Sequence, residues 1–389
     1  MSKTFHVKPQ LLSQLSQSMV LDSVRRCGPS TRAEITGRLG VTFPTTAKAI
    51  ASLLEAKLLE EYDDEQNLRG RPAKRVRLAR TKSQVIGIEL DHPDCKIVAA
   101  GFDGHTRPET LVSFRTPNDY ESLLSEIGKH VNHLITQTES ITLGIGLTIP
   151  GLVDYRKEQV CLSANLPILN NRPIGKDIST IVNVHCQMVH DTHALCMAES
   201  MYGKDMSAKP SFVMLAHRAG IGLGVMIDGA FLSGCDGFAG EIGHTPMIEN
   251  GRPCSCGRSG CLETVASELA LLEQASTHFG RDVDIEEYIS LALSEDPFVM
   301  EALSEASQYL AMVIANVVNL LNPHRLYVNG RLFEELPWLL DHMSEQASQL
   351  ALPLSFERCQ FERAASSLID GSIASVINHI TDSLTPQVT

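Results

Sequence analysis

Along the first sixty residues the apolar positions recur at helical spacing. In LLSQLSQSMVLDSVRR, Leu11 to Arg26, they fall three and four residues apart, the period of a helix with one buried face. Gly28-Pro29 ends that run, and Ser30-Thr31 offers N-cap oxygens to a short second helix, RAEITGRLG, closed by Gly40. A third helix follows in VTFPTTAKAIASLLEAKLLEE: Thr42 caps it, Pro44 suits its first turn, and Ile50, Leu53, Leu54 and Leu58 form its buried stripe. Three short helices with a tight turn before the third predict a helix-turn-helix. In that motif the last helix lies in the major groove of DNA, its N-terminal residues at the base edges. Thr45, Thr46 and Lys48 are then the exposed candidates for base contact. The polar, turn-prone stretch DDEQNLRGRPAKRVRLA adds a hairpin, which makes residues 1–80 a winged helix. Its tip, Arg69, Gly70 and Arg71 ahead of Pro72, is thin and cationic and suits a narrow minor groove. Lys74, Arg75 and Arg77 extend the charge along a strand that can neutralise phosphates. The same residues also fit a solvated basic loop beside a small helical oligomerisation domain.

Beyond Arg80 the pattern changes to alternating strands and helices. VIGIEL (85–90), KIVAAGFD (96–103) and ITLGIGLTIP (141–150) are β-rich runs, with helical spacing in YESLLSEIGKHVNHLI between the last two. FVMLAH, IGLGVMID and RLYVNG continue the strands, and FVMEALSEASQYLAMVIANVVNLLN has the period of one long helix. Such alternation predicts an α/β architecture.

Charge sharpens the division. The 389-residue chain carries a net −13, which by itself argues against a nucleic-acid partner. Residues 1–80, however, hold fourteen Lys and Arg against eight Asp and Glu, a net +6, and the remainder carries −19. A basic module joined to an acidic body is the pattern of a nucleic-acid-binding attachment. No apolar run approaches the ~20 residues of a membrane span, and MSKTFHVKPQLLSQ lacks the charged-then-apolar order of a signal peptide. A cytoplasmic protein without membrane insertion is therefore expected. In that reducing compartment the ten cysteines are expected as thiols or metal ligands.

Their spacing selects three of them. GEIGHTPMIENGRPCSCGRSGCLE, residues 240–263, places His244, Cys254, Cys256 and Cys261 within eighteen residues, with Gly251, Gly257 and Gly260 letting the backbone turn tightly. Three soft thiolates and one imidazole are a donor set for closed tetrahedral zinc, and four protein ligands leave no position for an activated water, so one structural zinc per chain is expected. Cys27, Cys95, Cys161, Cys186, Cys196, Cys235 and Cys359 show no such spacing.

The zinc segment, together with GIGLTIPGLVD (144–154), SANLPILNNRPIG (163–175) and HDTHALCMAES (190–200), resembles the ROK family of bacterial sugar kinases and sugar-responsive repressors. The resemblance covers residues 84–389, and the preceding winged helix matches the repressor branch. It implies a two-lobed, actin-like ATPase fold with a sugar cleft. The smaller lobe would span 84–200 plus a C-terminal helix at about 371–389, and the larger lobe, with the zinc motif and an oligomerisation surface, 201–370. By resemblance, Asn165, Asp191, Glu241, His244 and Glu263, with backbone near Gly151, should bind the hydroxyls of a sugar or sugar phosphate. Carboxylates and an imidazole suit that task because each accepts from or bridges vicinal hydroxyls. Where kinases of the family carry Asn before the catalytic Asp, this chain has His190.

The nucleotide side departs from the family. The Asp-x-Gly-Gly-Thr phosphate turn of the kinases corresponds here to Glu89-Leu90-Asp91-His92-Pro93-Asp94, which has lost the glycines and gained carboxylates. The second phosphate loop reads Arg218-Ala219-Gly220-Ile221-Gly222-Leu223-Gly224, without the kinase hydroxyl. The expected function is thus a non-enzymatic repressor that binds a double-stranded operator as a homodimer or homotetramer and senses a sugar. A sugar kinase with an extra N-terminal domain is the alternative. The resemblance also allows control by a sugar-transport protein.

Overall fold

The computed structural model of the chain describes residues 9–63, 74–203 and 210–384. By contact they form two units. One takes in the chain through Ile149, Asn171–Val189 and the part from Ser372; the other comprises Pro150–Asn170 and His190–Gly371.

The first unit begins with α1 (Pro9–Cys27), β1 (Ser30–Thr31), α2 (Arg32–Leu39), α3 (Phe43–Glu55), β2 (Leu59–Asp63) and β3 (Lys74–Leu78). The local signals act as expected. Thr31 and Glu34 form a reciprocal capping box, the Thr31 hydroxyl accepting from Glu34 N at 3.2 Å and the Glu34 carboxylate from Thr31 N at 2.8 Å. Gly40 ends α2 in the left-handed region and Pro44 lies in the first turn of α3; Thr42 holds the N-cap position, but its hydroxyl makes no capping bond to a backbone amide and pairs instead with Thr45 Oγ1 at 2.9 Å. Val20, Leu21, Val24, Ile35, Ile50, Leu53, Leu58 and Val76 are buried and form this module's core. Leu54, expected in the buried stripe, is only half-buried. β3 lies between β1 and β2, antiparallel to both.

The body continues with β4 (Ser83–Glu89), β5 (Asp94–Gly101), β6 (Val112–Arg115), α4 (Tyr120–Thr136), β7 (Ile141–Ile149), the hairpin β8 (Leu152–Asp154) and β9 (Gln159–Leu162), α5 (Ile174–Val182) and β10 (Cys186–His190). Then come α6 (Asp191–Tyr202), β11 (Phe212–His217), β12 (Ile221–Ile227), β13 (Ala230–Phe231), α7 (Glu263–Ala266), α8 (Glu268–Phe279), α9 (Ile285–Leu293) and α10 (Pro297–Leu321). β14 (Arg325–Asn329), α11 (Arg331–Glu335), α12 (Pro337–Ser348), α13 (Pro353–Phe356), β15 (Gln360–Arg363) and α14 (Leu368–Ser383) complete the chain. The strands form two five-stranded sheets, β6-β5-β4-β7-β10 in the first unit and β13-β12-β11-β14-β15 in the second. Numbered within itself, each sheet has the order 3-2-1-4-5, and in each the second strand pairs antiparallel and the fourth parallel to the first. The α/β architecture is thus two copies of one strand plan, as a two-lobed, actin-like kinase fold requires.

The boundary expected at residue 200 falls elsewhere. Residues 150–170 and the helix from Asp191 group with the second unit. The reason is a close approach: a Cβ at Gly224 of β12 would stand 2.4 Å from Cys196 Sγ and 2.9 Å from the Thr192 carbonyl, so only glycine lets α6 lie on this sheet. The second unit's core runs from Val213, Leu215 and Val225 through Leu303, Leu310, Ile314 and Val318 of α10 to Leu326, Val328 and Phe333.

Candidate functional site

The second unit brings His244, Cys254, Cys256 and Cys261 together, one donor atom from each lying within 4.8 Å of the others. His244 ends a 3-10 turn, Ile242–His244, and Cys261 pairs with Pro246 across an isolated bridge, which returns the segment onto itself. Gly260 makes the return possible: at φ +75° it lies so close that a Cβ would stand 1.7 Å from the Ile248 carbonyl oxygen. Cys254 Sγ is 3.5 Å from His244 Nδ1, and Cys256 Sγ is 3.7 Å from Cys261 Sγ. In a tetrahedral site with Zn–S near ~2.3 Å and Zn–N near ~2.0 Å, those edges are about 3.5 Å and about 3.8 Å. Burial and the Cys256 and Cys254 sulfurs push the Cys261 thiol up to about 12, so three thiolates coexist here only against a cation. The four residues therefore fit a metal ion.

The imidazole also faces the other way. His244 Nε2 is 3.8 Å from Glu241 Oε2, so the ring connects the thiol group to an acidic cluster. Burial raises the Glu241 carboxyl; His190 and His244 pull it down, and Asp191 and Glu263 raise it further, which places all four within electrostatic reach. Asp191 opens α6, where its Oδ1 accepts from Thr192 N at 2.6 Å and the helix N-terminus favours its charge. His190 Nδ1 lies 3.2 Å from the same oxygen and 2.8 Å from Thr192 Oγ1. The Glu263 carboxylate at the start of α7 lies over Gly220. Gly151 precedes β8 at φ +116°, and half-buried Asn165 lies in the turn where Ser163 Oγ accepts from Leu166 N at 3.2 Å. Three carboxylates and two imidazoles so placed can accept from and bridge the hydroxyls of a polyol.

Three residues of this neighbourhood carried no expectation. His190 N donates to the Tyr155 hydroxyl at 3.0 Å, that hydroxyl is 3.3 Å from His193 Nδ1, and the Phe231 ring packs on His193 with centroids 4.9 Å apart. Burial, aided by His190, lowers the His193 pKa to about 4, so the ring that meets the Tyr155 hydroxyl is neutral. The spacing of His190 and His193 across the start of α6 was visible in HDTH; Tyr155 arrives from the turn after β8 and Phe231 from β13.

In the N-terminal module Thr45 and Lys48 are exposed at the start of α3, as expected. Thr46 is not: it is 1% exposed, and its hydroxyl lies 3.4 Å from the Thr42 carbonyl. Its place in the helix explains this, since Thr46, Ala49, Ile50 and Leu53 fall at helical spacing on the one buried face. The basic strand also differs from expectation. Arg77 donates to Glu60 through both Nε and Nη2 at 2.7 Å, Lys74 lies 3.7 Å from Glu61, and Arg75 lies 3.8 Å from Glu34. Part of the module's positive charge is thus spent within the fold. Arg69, Gly70 and Arg71 lie outside the described residues.

The sequence model of the ROK family matches residues 85–372. The chain belongs to the ROK family. Among its ROK relatives, the xylose repressor of Bacillus subtilis (strain 168) is 26% identical over 385 residues, spanning 96% of this chain and 98% of that protein. A crystal structure of a ROK family transcriptional regulator, a homologue of the Escherichia coli MLC protein, superposes with a TM-score of 0.81 at 22% identity, covering 96% of this chain and 98% of its own. The ROK hexokinase from Thermus thermophilus superposes at 0.63 and 24% identity, covering 99% of the enzyme but 77% of this chain. The ROK match takes in the metal group and the acidic cluster and starts after the three-helix module.

Proposed function

We propose that this chain is a sugar-responsive, DNA-binding transcriptional repressor of carbohydrate-metabolism genes, acting as a homodimer or homotetramer. The observation that carries this reading is the pairing of a ROK body with the basic three-helix module, a combination matched end to end by a repressor and only in part by a hexokinase. The module is read as a winged helix-turn-helix, with Thr45 and Lys48 at the bases and the wing tip Arg69, Gly70 and Arg71 in the minor groove. The effector, a sugar or sugar phosphate, is assigned to Asn165, Asp191, Glu241, His244 and Glu263 with backbone at Gly151. The metal is assigned as structural zinc on His244, Cys254, Cys256 and Cys261; held through Nδ1, the His244 ring presents Nε2 towards Glu241 in a set orientation.

Loss of kinase chemistry belongs to the same reading. The turn after β4 offers carboxylates and carbonyls where a phosphate needs amides: Asp91 Oδ1 accepts from His92 N, and the carbonyls of Asp91 and Pro93 accept from Thr116. At an effective dielectric near 20 a like charge about 4 Å away costs ~4 kcal/mol, so a triphosphate is repelled by Asp91 and Asp94. The N-terminal dipole of α6 then serves Asp191 in binding rather than in proton transfer. Regulation follows from linkage: a sugar that prefers the conformation weak in DNA binding lowers operator affinity by the same factor, typically ~1–3 kcal/mol.

The test is operator affinity, by fluorescence anisotropy, with and without a panel of sugars and sugar phosphates. At least one should change affinity by about tenfold, and Asp191→Ala should abolish that response while leaving basal DNA binding. If no sugar changes affinity, the sensing assignment fails. The kinase alternative is favoured by the retained Asp191, and ATP-dependent phosphorylation of any hexose by purified protein would establish it instead.

A further inference from the structure

One large apolar side chain at the reading end of α3 has no part in the module's core. Phe43, the first residue of the helix, is 54% exposed, although an aromatic ring left in water gives up the burial that such side chains normally contribute. The module's interior is already filled further along the helix by Thr46, Ala49, Ile50 and Leu53. Phe43 stands among groups suited to a polyanion. Thr42, Thr45 and Lys48, all exposed, lie within five residues of it along the chain, the first turn of α3 carries no acidic residue, and Glu55 is the helix's sole carboxylate. The leading end of the helix thus presents a cation, Lys48, and no carboxylate to a duplex.

The major groove presents donors, acceptors and one apolar group, the C5-methyl of thymine, and phenylalanine is among the side chains that meet it. Resting on the DNA-reading role above, we propose that Phe43 is a specificity-determining residue that packs on a thymine methyl, so that each operator half-site carries a thymine at the position Phe43 reaches. Thr45 and Lys48 then supply the polar contacts beside it. Phe43 confers sequence preference at that position without charge, so its contribution does not weaken with salt as phosphate contacts do.

The test uses the full-length protein to select a preferred duplex from a randomised pool. Affinity is then measured with each thymine of the selected duplex replaced in turn by deoxyuridine, which removes the methyl group alone. Replacement at one thymine per half-site should weaken binding about three- to five-fold, the worth of one buried methyl. Phe43→Ala should bind the thymine and deoxyuridine duplexes equally. Insensitivity at every thymine, or the same loss in F43A, overturns the contact while leaving DNA reading intact. Failure to enrich any duplex overturns the DNA-reading role and this contact with it.

Discussion

Two carboxylates, buried Glu60 in the first unit and half-buried Glu268 in the second, are held in opposite ways. Glu60 of β2 is 5% exposed and accepts from Arg77 and, at 3.0 and 3.1 Å, from the Thr81 amide and hydroxyl. Burial raises its pKa, but the donors outweigh burial and hold it below the usual carboxylate value. Glu268, at the start of α8, accepts from Arg331 N at 3.1 Å; there burial outweighs the pull of Arg218 and Arg331, and the carboxyl rises to about 7. Desolvation is common to both, and the supply of donors decides the sign. The small N-terminal module depends on such polar clamps and caps, because eighty residues bury little apolar surface. The second unit has a broad core and a His/Cys group that fits a metal ion, and can carry a poorly compensated acid.

That contrast can be broken in four places. The largest effect is expected from Cys261→Ser: bound metal, measured by plasma mass spectrometry, should fall from one per chain to near none, and the second unit should lose more than about 3 kcal/mol in calorimetry. An unchanged metal content would refute the assignment of the four ligands. Next, Arg77→Ala should cost about 2–3 kcal/mol, since it leaves Glu60 buried with fewer donors. Because the folded pKa of Glu60 is depressed, its contribution is present above the unfolded value of 4.5 and lost as pH falls through the folded one. R77A should therefore move acid unfolding to higher pH; an unshifted acid transition would show that the clamp is unimportant.

Glu268 predicts the reverse sign. With a folded pKa of about 7 against 4.5 unfolded, its contribution is full below 4.5 and lost as pH rises through 7. Glu268→Gln should leave stability at pH 4 unchanged and gain about 1–2 kcal/mol at pH 8; equal melting curves at pH 8 would remove Glu268 from the comparison. The smallest effect is expected from Thr31→Ala, which removes one arm of the capping box for about 1 kcal/mol. Urea unfolding of the N-terminal module should resolve it, and no loss would mean that Glu34 alone sustains the cap.

Much of this molecule is written locally. The extents of α1 and α2, the start of α3, the caps at Thr31 and Gly40, the strands 212–217 and 221–227 and the grouping of His244, Cys254, Cys256 and Cys261 are legible, because helical period, capping and metal spacing act over a few consecutive residues; the end of α3 is not, since apolar spacing runs on to Leu58 whereas the helix stops at Glu55 and Leu59 opens β2. Thr46 was legible too, from its phase with Ala49, Ile50 and Leu53, but its polar side chain concealed a core position. The pairing of Arg77 with Glu60 was not, since it depends on the register of β2 against β3. Nor were the meeting of Tyr155 with His193 and the passage of the chain between units at residues 150, 171 and 190, whereas the return of the C-terminal helix to the first unit at 372 was implied by the family resemblance. The sequence by itself determined the elements, their order and the local donor sets. Tertiary structure alone decided which charges are neutralised within the fold and which rings surround Asp191, because those pairings depend on strand register and close backbone approach between segments far apart in the chain.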